Sequence, residues 1–149
     1  ARNGGSFKTK EVILKLLIKC LNHQAPNLTH YLLGFDLSKD IKRTVFQQPG
    51  YLGHPRTCLH SLLSLLNNSL LERKQLFWPP IHPRLVEKGY HVLYTLCANA
   101  KTTEPVFRFL RSSNDFIDKH LSSLPFPCQT PVSTAPKSLF SFVLVIVYE

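Results

Sequence analysis

His54, Cys58 and His60 lie close together in the sequence, and Cys20 with His23 has a spacing that metal ligation could use. A structural zinc site asks for four ligands drawn from paired short spacings, and no C-x2-C occurs anywhere in the chain. A Cys–His nucleophile could be assembled from distant residues. Cys58, however, stands in a leucine-rich run without an evident activating partner. Surface or core histidine and buried thiol is the simpler reading. Asp36 with Asp40, and Asp115 with Asp118, offer carboxylate pairs at turn or helix spacing, which capping and solvation explain. Gly50 and Gly53 alone do not make a phosphate loop. The residues therefore assign no catalytic, cofactor-binding or metal-ligating position, and the chain reads as a protein that is not an enzyme and needs no cofactor.

Composition narrows the remaining classes. The chain has 149 residues, one domain's worth, and an ordinary globule of that size buries about 70% of its unfolded surface. Charged residues make up 18%, below the roughly 25% of a free-standing soluble domain, which suits a piece of a longer stack. Methionine is absent and the first residue is Ala1, so an internal fragment, a processed chain or an incomplete gene model is expected. The net charge is +9, but the basic residues are dispersed, with Lys42–Arg43 and Arg73–Lys74 the densest pairs. A nucleic-acid reader concentrates such charge on one stripe; a solvated basic surface is the expectation, with no specific nucleic acid as partner. Cys20, Cys58, Cys97 and Cys128 show no close spacing, and the first three lie in helical patterns where a free thiol acts as a small apolar group. That favours a reducing, intracellular setting, in which the sequons at Asn27 and Asn67 are chance.

The elements that position these residues are helices. Residues 1–8 read as a loop. From Lys8 to His23 a stripe of Ile13, Leu14, Leu17, Ile18 and Leu21 predicts a first helix, widened by Leu16 and Cys20, and Pro26 ends it. Asn27 caps a short second helix whose apolar face is Leu28, Tyr31 and Leu32, and Gly34 closes it in the left-handed conformation. A polar connection over residues 35–54 docks through Ile41, Val45 and Phe46. Pro55 suits the first turn of a third helix to Leu71, with Leu59, Leu62, Leu63 and Leu66 on its buried face.

A basic, proline-rich loop follows and carries Phe77 and Trp78, read as buried against adjacent repeats rather than as a partner contact. Pro83 begins a fourth helix to Ala98, with Leu85, Val86, Tyr90, Leu93, Tyr94 and Cys97 at helical spacing. Thr103 caps a fifth helix through Arg111, with Pro105 near its first turn. Ser113 or Asn114 caps a sixth, to Leu124, which Pro125 stops. Six helical segments without a credible strand predict an all-α fold. Their unequal pairs fit an irregular α-solenoid of the HEAT or armadillo kind, a fragment of a much larger superhelix.

Residues 1–126 form that solenoid segment, and residues 127–149 a separate tail. Pro127, Pro131 and Pro136 interrupt an extended Ser/Thr-rich linker, and SLFSFVLVIVYE is a continuous apolar run. The run is too short for a transmembrane helix of about 20 residues, so no transmembrane segment is expected.

The blocks PNLTHYLLGFDLSK (26–39), QQPGYLGHPRTCLHSLLSLL (47–66), GYHVLYTLCA (89–98) and EPVFRFLRSSNDFIDKHLSSLPF (104–126) carry a resemblance. In that order and spacing the chain resembles the very large inner-ring scaffold nucleoporins of the nuclear pore complex. HYLLGFD, GHPRTCLHSLL, RFLRSSNDF and LPF gain their force from succession rather than from one sharp motif. The resemblance implies an internal piece of a curved α-helical solenoid that binds other nucleoporins, linker nucleoporins among them, through short peptide segments. It implies residence at the nuclear envelope, in the pore complex of the nucleus, and a part in protein and mRNA transport. The tail after Phe126 departs from the pattern and takes no family feature, and no partner-binding residue is matched. The alternative is a helical-repeat adaptor or transport scaffold outside the pore.

Overall fold

The apolar repeat of residues 13–21 forms helix α1 (Arg2–Leu21) in a computed structural model that describes residues 2–74, 82–113 and 115–123. Leu14, Leu17 and Leu21 are buried on one face, Ile18 is partly covered beside them, and Val12, Ile13 and Leu16 stay exposed. The loop expected over residues 1–8 is corrected, because the helix runs back to Arg2. Gly4 and Gly5 each disfavour helix by about 1 kcal/mol relative to Ala. Propagation from a formed turn still adds a hydrogen bond per residue, and Phe7 anchors that end by stacking on His82, ring centroids 3.5 Å apart. Glu11 accepts from Lys15 at 3.2 Å and from Lys88 at 3.5 Å, which ties α1 to the fourth helix.

Helix α2 (Leu28–Leu33) starts as its cap residue dictates. Asn27 Oδ1 accepts from the Thr29 N–H at 3.0 Å, and the Asn27 N–H donates to His30 Nδ1 at 3.1 Å. Gly34 closes the helix at φ 95°, the left-handed region that favours glycine. The buried face differs from the expected one. Leu28 and Tyr31 are exposed and only Leu32 of the expected face packs partly against the core, while Thr29, His30 and Leu33 turn inward. Six residues make less than two turns, too few for an apolar stripe to decide orientation. Polar anchoring decides it instead: the Thr29 hydroxyl donates to the Leu17 carbonyl at 3.0 Å.

The connection to the third helix holds two short 3₁₀ turns, Ile41–Arg43 and Tyr51–Gly53. Phe35, Ile41 and Thr44 are buried and Phe46 packs beside them, but Val45 is exposed, against expectation. Thr44 is extended, so side chains alternate there and Val45 points opposite to its neighbours. Phe35, Phe46 and Phe109 form a run of rings with centroids 5.0 and 5.5 Å apart.

Helix α3 (Cys58–Lys74) begins three residues later than Pro55 suggests. The Thr57 N–H donates to His60 Nδ1 at 2.9 Å, so Thr57 stands at the entry and Pro55 in the non-helical approach. Leu59, Leu62, Leu63 and Leu66 are all buried, as their spacing predicts. Helix α4 (Pro83–Ala98) has proline in its first turn and buries Leu85, Val86, Gly89, Tyr90, Val92, Leu93, Leu96 and Cys97. So broad a face marks a helix with neighbours on several sides, and α4 packs against α1, α3 and α5 (Thr103–Ser112). At Gly89 a Cβ would sit 3.0 Å from Leu66 Cδ2 and 3.2 Å from Leu62 Cδ1, so glycine lets α3 and α4 approach closely.

Thr103 is not the cap of α5. The hydroxyls of Thr102 and Thr103 donate to the carbonyls of Leu96 and Cys97, closing the end of α4. Helix α6 (Phe116–Ser122) follows Asp115, which is left-handed at φ 56°, and packs on α5.

Among the described residues every regular element is helical, and successive helices of 20, 6, 17, 16, 10 and 7 residues stack as unequal pairs. The fold is all-α, an irregular α-solenoid segment. Phe77, Trp78, Asn114, Pro125, Cys128 and the tail of residues 127–149 lie outside the described residues.

Candidate functional site

The residues with chemical potential are dispersed by the fold. His54 is exposed beside a 3₁₀ turn, Cys58 is half-buried at the start of α3, and His60 is buried. His60 Nδ1 accepts from the Thr57 N–H, so its Nε2 carries the proton and donates to the Gln47 carbonyl at 2.7 Å. The ring thus clasps the connecting loop onto α3. His23 is exposed and meets Cys20 only through a backbone hydrogen bond. Among the described residues, no group of three or more His, Cys, Asp or Glu is placed to hold a metal ion. Cys20, Cys58 and Cys97 are free thiols, the last buried in α4.

The carboxylates close turns. Asp36 accepts from the N–H and hydroxyl of Ser38, and Asp40 from the Lys42 N–H. The Ser38 contacts, with Lys39, hold the Asp36 carboxyl below its ordinary range. Asp118 is exposed in the first turn of α6. The sequon asparagines are likewise engaged, Asn27 as a helix cap and Asn67 in a hydrogen bond to His120.

Three buried histidines join elements that the sequence reading left unconnected. His30 caps α2 and stands edge-on to Phe35; burial, then the nearby Lys101 charge, pushes its pKa down. His60 holds the loop. His120 of α6 contacts Asn67 Oδ1 of α3 through Nε2 at 3.0 Å and the Tyr90 hydroxyl of α4 through Nδ1 at 2.5 Å, and stacks on Phe116. An acceptor oxygen at Nε2 places the proton there and leaves Nδ1 to accept from Tyr90. A signal for two of them exists in the sequence, Asn27-x-x-His30 and Thr57-x-x-His60. Histidine there performs the return contact that Glu or Gln makes in a capping box.

What the fold leaves available is apolar surface. Val12, Ile13 and Leu16 on α1, and Leu28 and Tyr31 on α2, are exposed. Between α1 and α3 runs a groove of about 460 Å³, floored by leucines and edged by Lys10 and Arg56. Such faces suit protein packing rather than turnover.

Comparison with known proteins agrees with that character. The family model described as nuclear pore complex scaffold, nucleoporins 186/192/205, matches residues 2–134. The nuclear pore complex protein Nup205 of Homo sapiens is 44% identical over 119 residues, which cover 80% of this chain and 6% of that protein. Its namesake in Drosophila melanogaster is 34% identical over 122 residues, covering 80% of the chain and 6% of the relative. That of Arabidopsis thaliana is 31% identical over 127 residues, covering 85% and 6%. The chain therefore spans about 6% of the length of the relatives it matches.

Proposed function

Since the chain belongs to the nuclear pore complex scaffold family of nucleoporins 186/192/205, we propose that it is a structural segment of the pore's inner ring. In this reading residues 1–126 are one stretch of a long solenoid, and residues 127–149 are a proline-rich linker and divergent tail. The segment presents helix faces to neighbouring repeats and to other nucleoporins, linker nucleoporins among them, at the nuclear envelope. It supports protein and mRNA traffic by holding the scaffold's shape and not by covalent chemistry. The observation that carries the proposal is the family match over residues 2–134. The packing supports it: α4 is covered by α1, α3 and α5, while α1 keeps an apolar strip exposed, as a middle layer with a further neighbour requires.

The test replaces the matching stretch of the human relative with this chain and images the tagged product in cells depleted of the native protein. A continuous nuclear rim, co-purification of other nucleoporins and restored import and mRNA export are expected. A soluble product away from the rim, bound to non-pore proteins, would favour a helical adaptor outside the pore and overturn the proposal.

A further inference from the structure

One imidazole pins both ends of an exposed segment. His60 Nδ1 accepts from the Thr57 N–H at 2.9 Å, and its Nε2–H donates to the Gln47 carbonyl at 2.7 Å. Between those two partners lie residues 48–56, every one of them exposed. The segment is closed by its own hydrogen bonds: the Gly50 N–H donates to the His54 carbonyl at 2.9 Å, and the His54 N–H to the Tyr51 carbonyl at 3.0 Å. A compact surface loop with its ends brought together is an Ω-loop, and here the neck is the ring of a buried residue of α3. The loop is also strained. Leu52 stands at φ 49° and ψ 33°, the left-handed region that favours glycine, and with its side chain 83% exposed little packing offsets that backbone.

The surroundings of the ring supply no carboxylate. It lies edge-on to Phe109 of α5, ring centroids 5.5 Å apart. A small cavity beside it, about 190 Å³, is lined by Arg56 at the end of the loop and by the uncharged Ser64 and Asn67 of α3 and Phe116 of α6, with no Asp or Glu. The Arg56 guanidinium is drawn along α3 by the Ser61 and Ser64 hydroxyls at 3.2 and 2.9 Å. Tyr51 and His54, the other titratable side chains of the loop, are exposed.

We propose that His60 is a proton-sensitive latch: its neutral ring holds residues 48–56 closed, and a proton on Nδ1 lets them open as a unit, apart from the helix stack. The neutral ring serves both ends at once, as acceptor at Nδ1 and donor at Nε2. A proton on Nδ1 turns that acceptor into a donor. The Thr57 hydroxyl, 2.9 Å away, can accept from it, but the Thr57 N–H then faces a second N–H and loses its partner. Opening returns that N–H to water and lets Leu52 leave its left-handed conformation. Helix α3 keeps its packing on α4, which does not pass through the loop. The proposal concerns contacts within the chain and is independent of the scaffold reading.

The test follows the isotope-labelled 149-residue chain by NMR from about pH 8 to about pH 5. The ring signals of His30, His54 and His60 report proton uptake at each, and amide hydrogen exchange, corrected for its intrinsic pH dependence, reports opening. Exchange at Thr57 and Gly50 is expected to rise about tenfold with a midpoint that follows His60, while Leu93 in α4 stays protected. His60→Gln keeps an acceptor for the Thr57 N–H, as in a capping box, but does not titrate, so Thr57 should stay protected at every pH. His60→Phe keeps a ring and removes both nitrogens, so Thr57 and Gly50 should exchange fast at every pH. Leu52→Gly relieves the left-handed strain and should slow both amides of the neutral protein about threefold.

Protection of Thr57 that is unmoved by the His60 titration, a loss that follows His30 or His54, or one that spreads equally to Leu93 would overturn the proposal. So would a His60→Gln protein whose neck still opens as pH falls, or a His60→Phe protein whose neck exchanges as slowly as its parent's. The parent's titration and His60→Gln decide the matter even where His60→Phe fails to fold.

Discussion

Gly34→Ala tests the junction on which α2 and α3 depend. Gly34 sits at φ 95° and ψ 19°, where an L side chain costs about 1–2 kcal/mol. A Cβ there would also lie 2.6 Å from Thr57 Cγ2, far inside ordinary contact, and Thr57 is held in place by His60. Relieving such overpacking costs roughly 1–3 kcal/mol. Alanine restricts the unfolded chain and returns about 0.4–1 kcal/mol. The net loss should be about 3 kcal/mol, read as a lower urea midpoint at unchanged slope by circular dichroism. Thr57→Ser removes the methyl at 2.6 Å and keeps Cβ and the hydroxyl at 3.1 and 3.2 Å, so it isolates the share due to the methyl. In the Thr57→Ser background, Gly34→Ala should cost about 1–3 kcal/mol less, leaving the backbone contribution and the two milder contacts. An identical cost in both backgrounds would show that the methyl contact is not made. A Gly34→Ala protein as stable as its parent would refute the left-handed end of α2 itself.

Leu62→Ala and Leu63→Ala should each cost about 2–5 kcal/mol, and Ser61→Ala far less, in urea melts; both leucines are buried although they point about 100° apart. His30 gives a pH dependence of definite sign. Its folded-state pKa lies below the ordinary 6.5, so between the two values the unfolded chain binds more protons and stability rises with pH. The contribution is complete above about pH 6.5 and lost as pH falls below it; a His30→Asn protein should show a flatter dependence of melting temperature on pH from about 7.5 to about 5. Truncation after Phe126 should reduce aggregation measured by light scattering, because FVLVIVY joins high β-propensity to an absence of charge. Equal scattering with and without residues 127–149 would remove that explanation.

Where side-chain spacing alone controls burial, the sequence was readable. The leucines of α3 and Leu85, Val86, Tyr90, Leu93 and Cys97 of α4 follow directly from a period of about 3.6, whereas Tyr94 is only partly buried and Val92 and Leu96 widen the face; Asn27, Gly34 and Pro83 mark ends because their backbone chemistry admits little else. Several misreadings occurred where a polar group decided. The inward face of α2 is set by the Thr29 hydroxyl and the His30 ring, neither of which an apolar pattern counts. Thr102 and Thr103 serve the helix before them rather than the one after, a choice between two helix ends that sequence position leaves open. The extension of α1 back to Arg2 crosses Gly4 and Gly5, and Phe7 meets His82, a partner so distant in sequence that no local rule can supply it.

Those polar choices also bear on what the candidate site can be. Among the described residues no buried side-chain nitrogen or oxygen lacks a hydrogen-bond partner. His30, His60 and His120 have ring nitrogens in contacts that join α2 to its cap, α3 to its loop, and α6 to α3 and α4. Recruiting one of these rings for proton transfer or metal ligation would break a contact between elements, and a buried group left without its partner costs about 1–3 kcal/mol. The exposed side chains carry no such obligation. Val12, Ile13 and Leu16, with Lys10 and Arg56 at the adjacent groove, can meet another surface without disturbing the packing beneath them. The proposed scaffold contacts are therefore to be sought on the outside of α1 and α3. The same separation makes them testable, because surface substitutions there can alter binding while helicity reports an intact stack.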